Sequence, residues 1–180
     1  ITVSSSTGNG AVLGGTKTLA AVNGMTTFTD LKYTGLVGSY TLTYSATGLA
    51  ATSQSITLLP GTATKLGTNV QAAGAVNGVA FTTQPKVYVQ DADGNTITGS
   101  SASVQVAVVE AGATLSGTAT VGASSGVVTY SGLKLTGTAG SYTLRYTSTG
   151  LTALDNSISL KFGTADHLTI TQQPVGGNKV

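Results

Sequence analysis

The residues with the most chemical potential stand at Asp91-Ala92-Asp93-Gly94-Asn95, where three side-chain oxygens fall at alternate positions. A calcium loop presents its first ligands at that spacing, which makes Asp91, Asp93 and Asn95 a weak candidate metal site. The glycine comes too early for an EF-hand, and no bidentate Glu closes the twelve-residue loop. A tight turn between two strands accounts for the same residues, because Asp, Gly and Asn all tolerate positive φ. Gly122-Ala123-Ser124-Ser125-Gly126 has the G-x-S-x-G spacing of a nucleophile elbow. An elbow needs a strand before it and a helix after it. Strands are expected on both sides here, so a hairpin loop is the expectation.

His167 is the single histidine and there are no cysteines, so no His/Cys cage can form. It stands at the start of an expected strand, where the other copy has Lys65. The acids are Asp30, Asp91, Asp93, Glu110, Asp155 and Asp166. Sugar hydrolysis needs two carboxylates about 5–10 Å apart across a cleft. Only Asp91 and Asp93 are close in sequence, and both lie on one turn. No catalytic residue and no cofactor are expected, and the chain reads as non-enzymatic. Seven tyrosines could form a sugar-stacking platform, but Tyr40, Tyr44, Tyr142 and Tyr146 share a face with Leu42 and Leu144. A core stripe with hydroxyls reaching the sandwich edge fits them better. Lys32 and Lys134 are equivalent, yet a Lys–Asn cross-link needs a buried acid, and Glu110 has Gly8 at its counterpart.

The elements that must position these residues are strands. Ser39-Tyr40-Thr41-Leu42-Thr43-Tyr44-Ser45 alternates apolar and hydroxyl side chains, and Ser141 to Thr147 does the same with Arg145 on the wet face. No stretch of a dozen residues has helical spacing. Strand A is expected at 65–72, B at 86–91, C at 102–109, D at 117–121, E at 126–135, F at 140–148 and G at 155–162. Seven strands in two sheets make an all-β, immunoglobulin-like Greek-key sandwich. Leu115, Val121, Val128, Tyr142, Leu144, Tyr146, Ile158 and Leu160 are its expected core, with their apolar copies 102 positions earlier.

Those copies exist because residues 13–71 return as 115–173, with 29 of 59 aligned pairs identical. A period near one hundred residues is about the size at which a domain folds alone, so the chain reads as tandem domains. Residues 1–64 read as an immunoglobulin-like unit lacking its first two strands, 65–163 as a complete unit, and 164–180 as the first strand of a further unit or a donor strand. Ile1, Val3, His167, Leu168 and Ile170 are the expected subunit or inter-repeat contacts. The junctions Gly61-Thr62-Ala63 and Gly163-Thr164-Ala165 are short and carry no Pro/Ser-rich tether, which points to a jointed rod.

Composition narrows the partners. Only 8% of residues are charged and the formal charge is +2, with no basic cluster. That argues against nucleic acid and against a polybasic membrane anchor. No apolar run reaches a spanning length, so no membrane insertion is expected. The chain begins at Ile1 without an initiator Met or signal peptide, as a mature product or a piece of something longer would.

Val87-Tyr88-Val89-Gln90-Asp91-Ala92-Asp93-Gly94-Asn95-Thr96-Ile97 resembles the end of strand B in the bacterial Ig-like repeat superfamily, whose motif is V-x-V-x-D-A-x-G-N-x-V. The chain departs from it at Ile97. Gly140-Ser141-Tyr142-Thr143-Leu144 is similar to that family's strand F opening, and Leu168 to Pro174 to its strand A. The relatives are the tandem domains of invasin- and intimin-type adhesins and of large surface proteins. The resemblance implies extracellular, non-enzymatic modules on a bacterial cell surface, serving as stalks, adhesins or spacers. The expected partners are copies of the chain or neighbouring repeats, and beyond them a cell-surface glycan or host receptor. The expected function is a structural module of a surface fibre or giant adhesin, joined head-to-tail by strand linkage or strand exchange. A ligand-binding adhesin module and a spacer in a secreted enzyme are the alternatives.

Overall fold

A computed structural model describes residues 1–6, 10–165, 168–172 and 176–177. Among the described residues there is no helix. The first strands are β1 (Thr2–Ser5), β2 (Val12–Gly14), β3 (Lys32–Thr34), β4 (Gly38–Ser45) and β5 (Thr52–Leu58). Next come β6 (Lys65–Val70), β7 (Lys86–Gln90), β8 (Ser103–Val108), β9 (Ala113–Ser116) and β10 (Thr120–Gly122). The last are β11 (Val127–Thr129), β12 (Lys134–Gly137), β13 (Gly140–Thr147) and β14 (Leu154–Leu160). All paired strands run antiparallel, as an all-β immunoglobulin-like sandwich requires.

One face of the second sandwich is the sheet β10-β8-β13-β14, and β11-β7-β6 and β12-β9 pair separately. Period-2 alternation makes the core. Tyr142, Leu144 and Tyr146 of β13 point inward, and so do Val104 and Val106 of β8 and Val87 and Val89 of β7. They join Leu66, Phe81, Leu133, Leu135, Ile158 and Leu160 in one apolar cluster. Arg145 faces water and grips Asp155 on β14 with two hydrogen bonds of 2.8 and 2.6 Å. The Tyr142 hydroxyl donates to the Thr138 carbonyl four residues upstream, at 2.7 Å. Tyr40 repeats this bond to Leu36 at 2.6 Å. A tyrosine near the start of strand F that bonds back over the preceding corner is a hallmark of immunoglobulin-like sandwiches.

The first sheet is β1-β4-β5, with β2-β3 beside it and a small core of Val3, Leu13 and Leu42. Its registers copy those of the second sandwich. Leu13 faces Tyr33 as Leu115 faces Leu135, and Tyr40 faces Ile56 as Tyr142 faces Ile158. β1 breaks the 102-residue offset. Thr2 pairs with Ser45 but Gln105 with Thr147, because one extra residue separates β1 from β2.

Three expectations need correction. Strand E is two strands, β11 and β12, which pair with different partners, β7 and β9. β9 lies in a stretch expected to be loop; its Thr and Leu carry too short an alternation to stand out. Ile56 is 39% exposed although its copy Ile158 is buried. The Ile158 face is covered by residues 66–89, and no described residues occupy that place over Ile56.

Candidate inter-unit joint

β7 ends at Gln90, and the chain reverses through Asp91 to Asn95. The Asp91 carboxylate organises the turn from within. Its Oδ1 accepts the backbone N–H of Asp93 at 3.1 Å and of Asn95 at 2.8 Å. An Asp accepting from the backbone two residues on is an Asx turn, which is why this residue type opens the loop. Among the described residues Asp91 and Asn95 are the only buried polar ones, at 5% and 6% exposure.

The remaining atoms of the turn reach outward. Asp91 Oδ2 accepts the Gly61 N–H at 2.9 Å, from the connection between β5 and β6. Asn95 Oδ1 accepts the Val37 N–H at 2.9 Å, and its Nδ2 donates to the Gly35 carbonyl at 2.9 Å. The same Nδ2 donates to Asp91 Oδ2 at 2.9 Å, so one amide ties the turn to itself and to its neighbour. Asp93 Oδ2 accepts the Gly35 N–H at 3.1 Å. Lys65 Nζ closes the flank by donating to the Ala92 carbonyl at 2.8 Å. The turn thus binds the corner between β3 and β4 and the connection that follows β5. A shallow cleft of about 260 Å³ runs along the seam, lined by Tyr33, Leu58, Thr62 and the turn itself.

Gly35 is required by its own corner: its φ is +121°, and a Cβ there would collide with the Gly10 carbonyl. Electrostatics favour the charged turn. Burial works to raise the Asp91 carboxyl, but the Asn95 amide and the backbone N–H groups of Gly61, Asn95 and Asp93 outweigh it. The carboxyl sits below its ordinary range.

Asp91, Asp93 and Asn95 therefore come together as the sequence suggested, but their oxygens accept N–H groups. Among the described residues no three His, Asp or Glu side chains gather as a metal would require. Ser124 and Val127 exchange backbone bonds across Ser125-Gly126, with φ of +50° and +75°, so the G-x-S-x-G stretch is a hairpin. Asp30 is engaged by Thr16, Glu110 by Thr143 and Asp155 by Arg145. Val3 is buried in the first core, and the Ile1 nitrogen donates to the Leu19 carbonyl at 2.7 Å. Leu168 and Ile170 are exposed and lie outside any strand, while His167 and Asp166 fall outside the described residues. Sequence reasoning placed Gly61 in the junction but missed Gly35 and Val37 as joint residues. The one available signal for Gly35 was its return as Gly137.

No protein-family model matches the chain, and no curated protein matches it. Among solved structures it is similar to a glycosyl hydrolase family 2 member from Bacteroides cellulosilyticus, with TM-score 0.49, 12% identity, and coverage of 73% of this chain and 18% of that one. A beta-glycosidase from Bacteroides vulgatus gives TM-score 0.45 and 13% identity over 83% of this chain and 21% of that one. The beta-glucuronidase of Parabacteroides merdae gives 0.44 and 11% over 67% and 16%. The chain spans about a fifth or less of the length of these proteins.

Proposed function

We propose that this chain is a structural, non-catalytic module of an extracellular bacterial array, a run of immunoglobulin-like units whose mutual bonding sets reach and direction. The observation that carries this reading is the Asp91–Asn95 turn, bonded at once to the Gly35–Val37 corner and to Gly61. Two sandwiches on a bare tether would tumble separately; four bonds from one turn oppose that. The motif around this turn resembles bacterial surface repeats, which supports the location outside the cell and neighbouring repeats as the main partners. The unit is suited equally to a stalk and to a spacer in a secreted polypeptide, since both need fixed geometry and no chemistry.

The test is backbone ¹⁵N relaxation of the whole chain. A single rotational correlation time for the amides of β4 and β13 is expected, and it should split into two in the double variant Asp91→Ala, Asn95→Ala. Independent tumbling of the two halves in the unaltered chain would overturn the reading.

A further inference from the structure

In the second sandwich, residues 72–83 lie between the end of β14 and β12. Lys161 N–H donates to the Ala75 carbonyl and Asn77 N–H to the Lys161 carbonyl, both at 3.0 Å, so the segment follows β14 past its end. On the other side Gly78 and Phe81 donate to the Leu135 and Leu133 carbonyls of the β12 region, both at 2.9 Å. Ala75 and Phe81 anchor the segment in the core, and Val79 N–H closes a turn onto the Val76 carbonyl at 2.9 Å.

The tip of that turn is Asn77-Gly78, a pair that can react with itself. The glycine main-chain nitrogen, once deprotonated, attacks the asparagine Cγ. A cyclic succinimide forms, the Cγ–Nδ2 bond breaks and ammonia leaves. Water then opens the ring at either carbonyl, giving Asp or isoaspartate. Glycine at the second position favours the attack because no side chain crowds its nitrogen. Both residues are exposed, and a Cβ on Gly78 would meet nothing within 4 Å. Burial therefore does not keep water or hydroxide from the pair.

Bonding does the protecting. The Gly78 N–H that must lose its proton is held by the Leu135 carbonyl. The Asn77 carboxamide that must turn toward it has its Oδ1 on the Gly137 N–H at 2.8 Å. The Asn77 N–H is fixed to Lys161, which opposes the main-chain rotation that would bring the two groups together. Nucleophile, electrophile and the backbone between them are thus each tied to β12 or to the end of β14.

We propose that Asn77-Gly78 is a deamidation site latched shut by the folded sandwich. It reacts when residues 72–83 lift from β12, and its isoaspartate product then keeps them from reseating. Isoaspartate routes the main chain through the side-chain methylene and lengthens it by one carbon. The N–H groups of residues 77 and 78 then no longer match the Lys161 and Leu135 carbonyls together. The Asp product keeps the ordinary spacing, and its carboxylate still accepts the Gly137 N–H. One opening event therefore leaves two chemical records, one that recloses and one that does not.

The test holds the whole chain in mildly alkaline buffer and follows two signals: mass spectrometry of the peptide spanning Asn77, and hydrogen exchange at the Gly78 amide. Asn77 should convert at least about tenfold more slowly in the folded chain than in denaturant, because deprotonation of Gly78 waits on local opening. Phe81→Leu, which shrinks one anchor of the segment, should speed Gly78 exchange and Asn77 conversion by the same factor while β13 amides stay protected. Folded-state conversion within about twofold of the denatured rate overturns the proposal, and that comparison needs no variant. So does a Phe81→Leu chain in which Gly78 exchanges faster but Asn77 converts no faster. Asn77→Asp should keep the Gly78 protection of the original chain, and the purified isoaspartate form should lack it. Equal protection in the two would overturn the claim that one product blocks reclosure.

Discussion

Asp91 holds four N–H groups with two oxygens, and each of those bonds depends on its charge. Its carboxyl is depressed in the folded chain, so the stabilisation is full above the unfolded value near 3.8 and is lost as pH falls through the lower folded value. The joint should therefore be unchanged between about pH 5 and 8 and loosen below about pH 4, read as divergence of the two halves' correlation times. Asp91→Asn should reproduce that loosening at neutral pH, because an amide nitrogen would then face an N–H donor. A joint in Asp91→Asn as tight as the original would remove the carboxylate from the account. Asn95→Asp makes a sharper case. It replaces the donor to Asp91 Oδ2 and to the Gly35 carbonyl with a third carboxylate beside Asp91 and Asp93. The joint should open at pH 7 and partly re-form in acid, the reverse of the native pH response.

At the scale of elements, the two copies of strand G provide a controlled comparison. Ile158 on β14 is buried and Ile56 on β5 is 39% exposed, at the same register opposite tyrosines of strand F. Ile158→Ala should cost about 2–5 kcal/mol in denaturant unfolding, as large-to-small changes in packed cores do. Ile56→Ala should cost less than about 1 kcal/mol. Equal costs would mean that the place over Ile56 is filled. The strands themselves were legible in the sequence, since β4, β8, β13 and β14 each bury alternate residues against water on the other side. The break between β11 and β12 was also marked, by the turn dipeptide Ser131-Gly132 with Gly132 at φ +67°. What the sequence did not show is that the chain crosses there from one sheet partner to another, a change that only tertiary contacts reveal. The joint was half legible. Asp91 and Asn95 announce a turn locally, but their partners lie 30 to 60 residues away and are main-chain atoms, which leave no side-chain signature.

For the whole molecule, stability should be graded along its length. The first core gathers Val3, Leu13 and Leu42, while the second gathers seventeen buried residues between Leu66 and Leu160. Native-state hydrogen exchange should find the amides of β4 and β5 less protected than those of β13 and β14. Equal protection would imply that the first half borrows stability through the joint. The joint also differs in kind on its two sides. Asp91, Asp93 and Asn95 supply side chains, but Gly35, Val37 and Gly61 answer with backbone N–H and C=O groups alone. Main-chain atoms are the same in every unit, so these bonds by themselves hold no code that distinguishes one neighbour from another. Units of this design can be duplicated, deleted or reordered by recombination without re-evolving a fit, and the length of such an array becomes a quantity that copy number alone can tune.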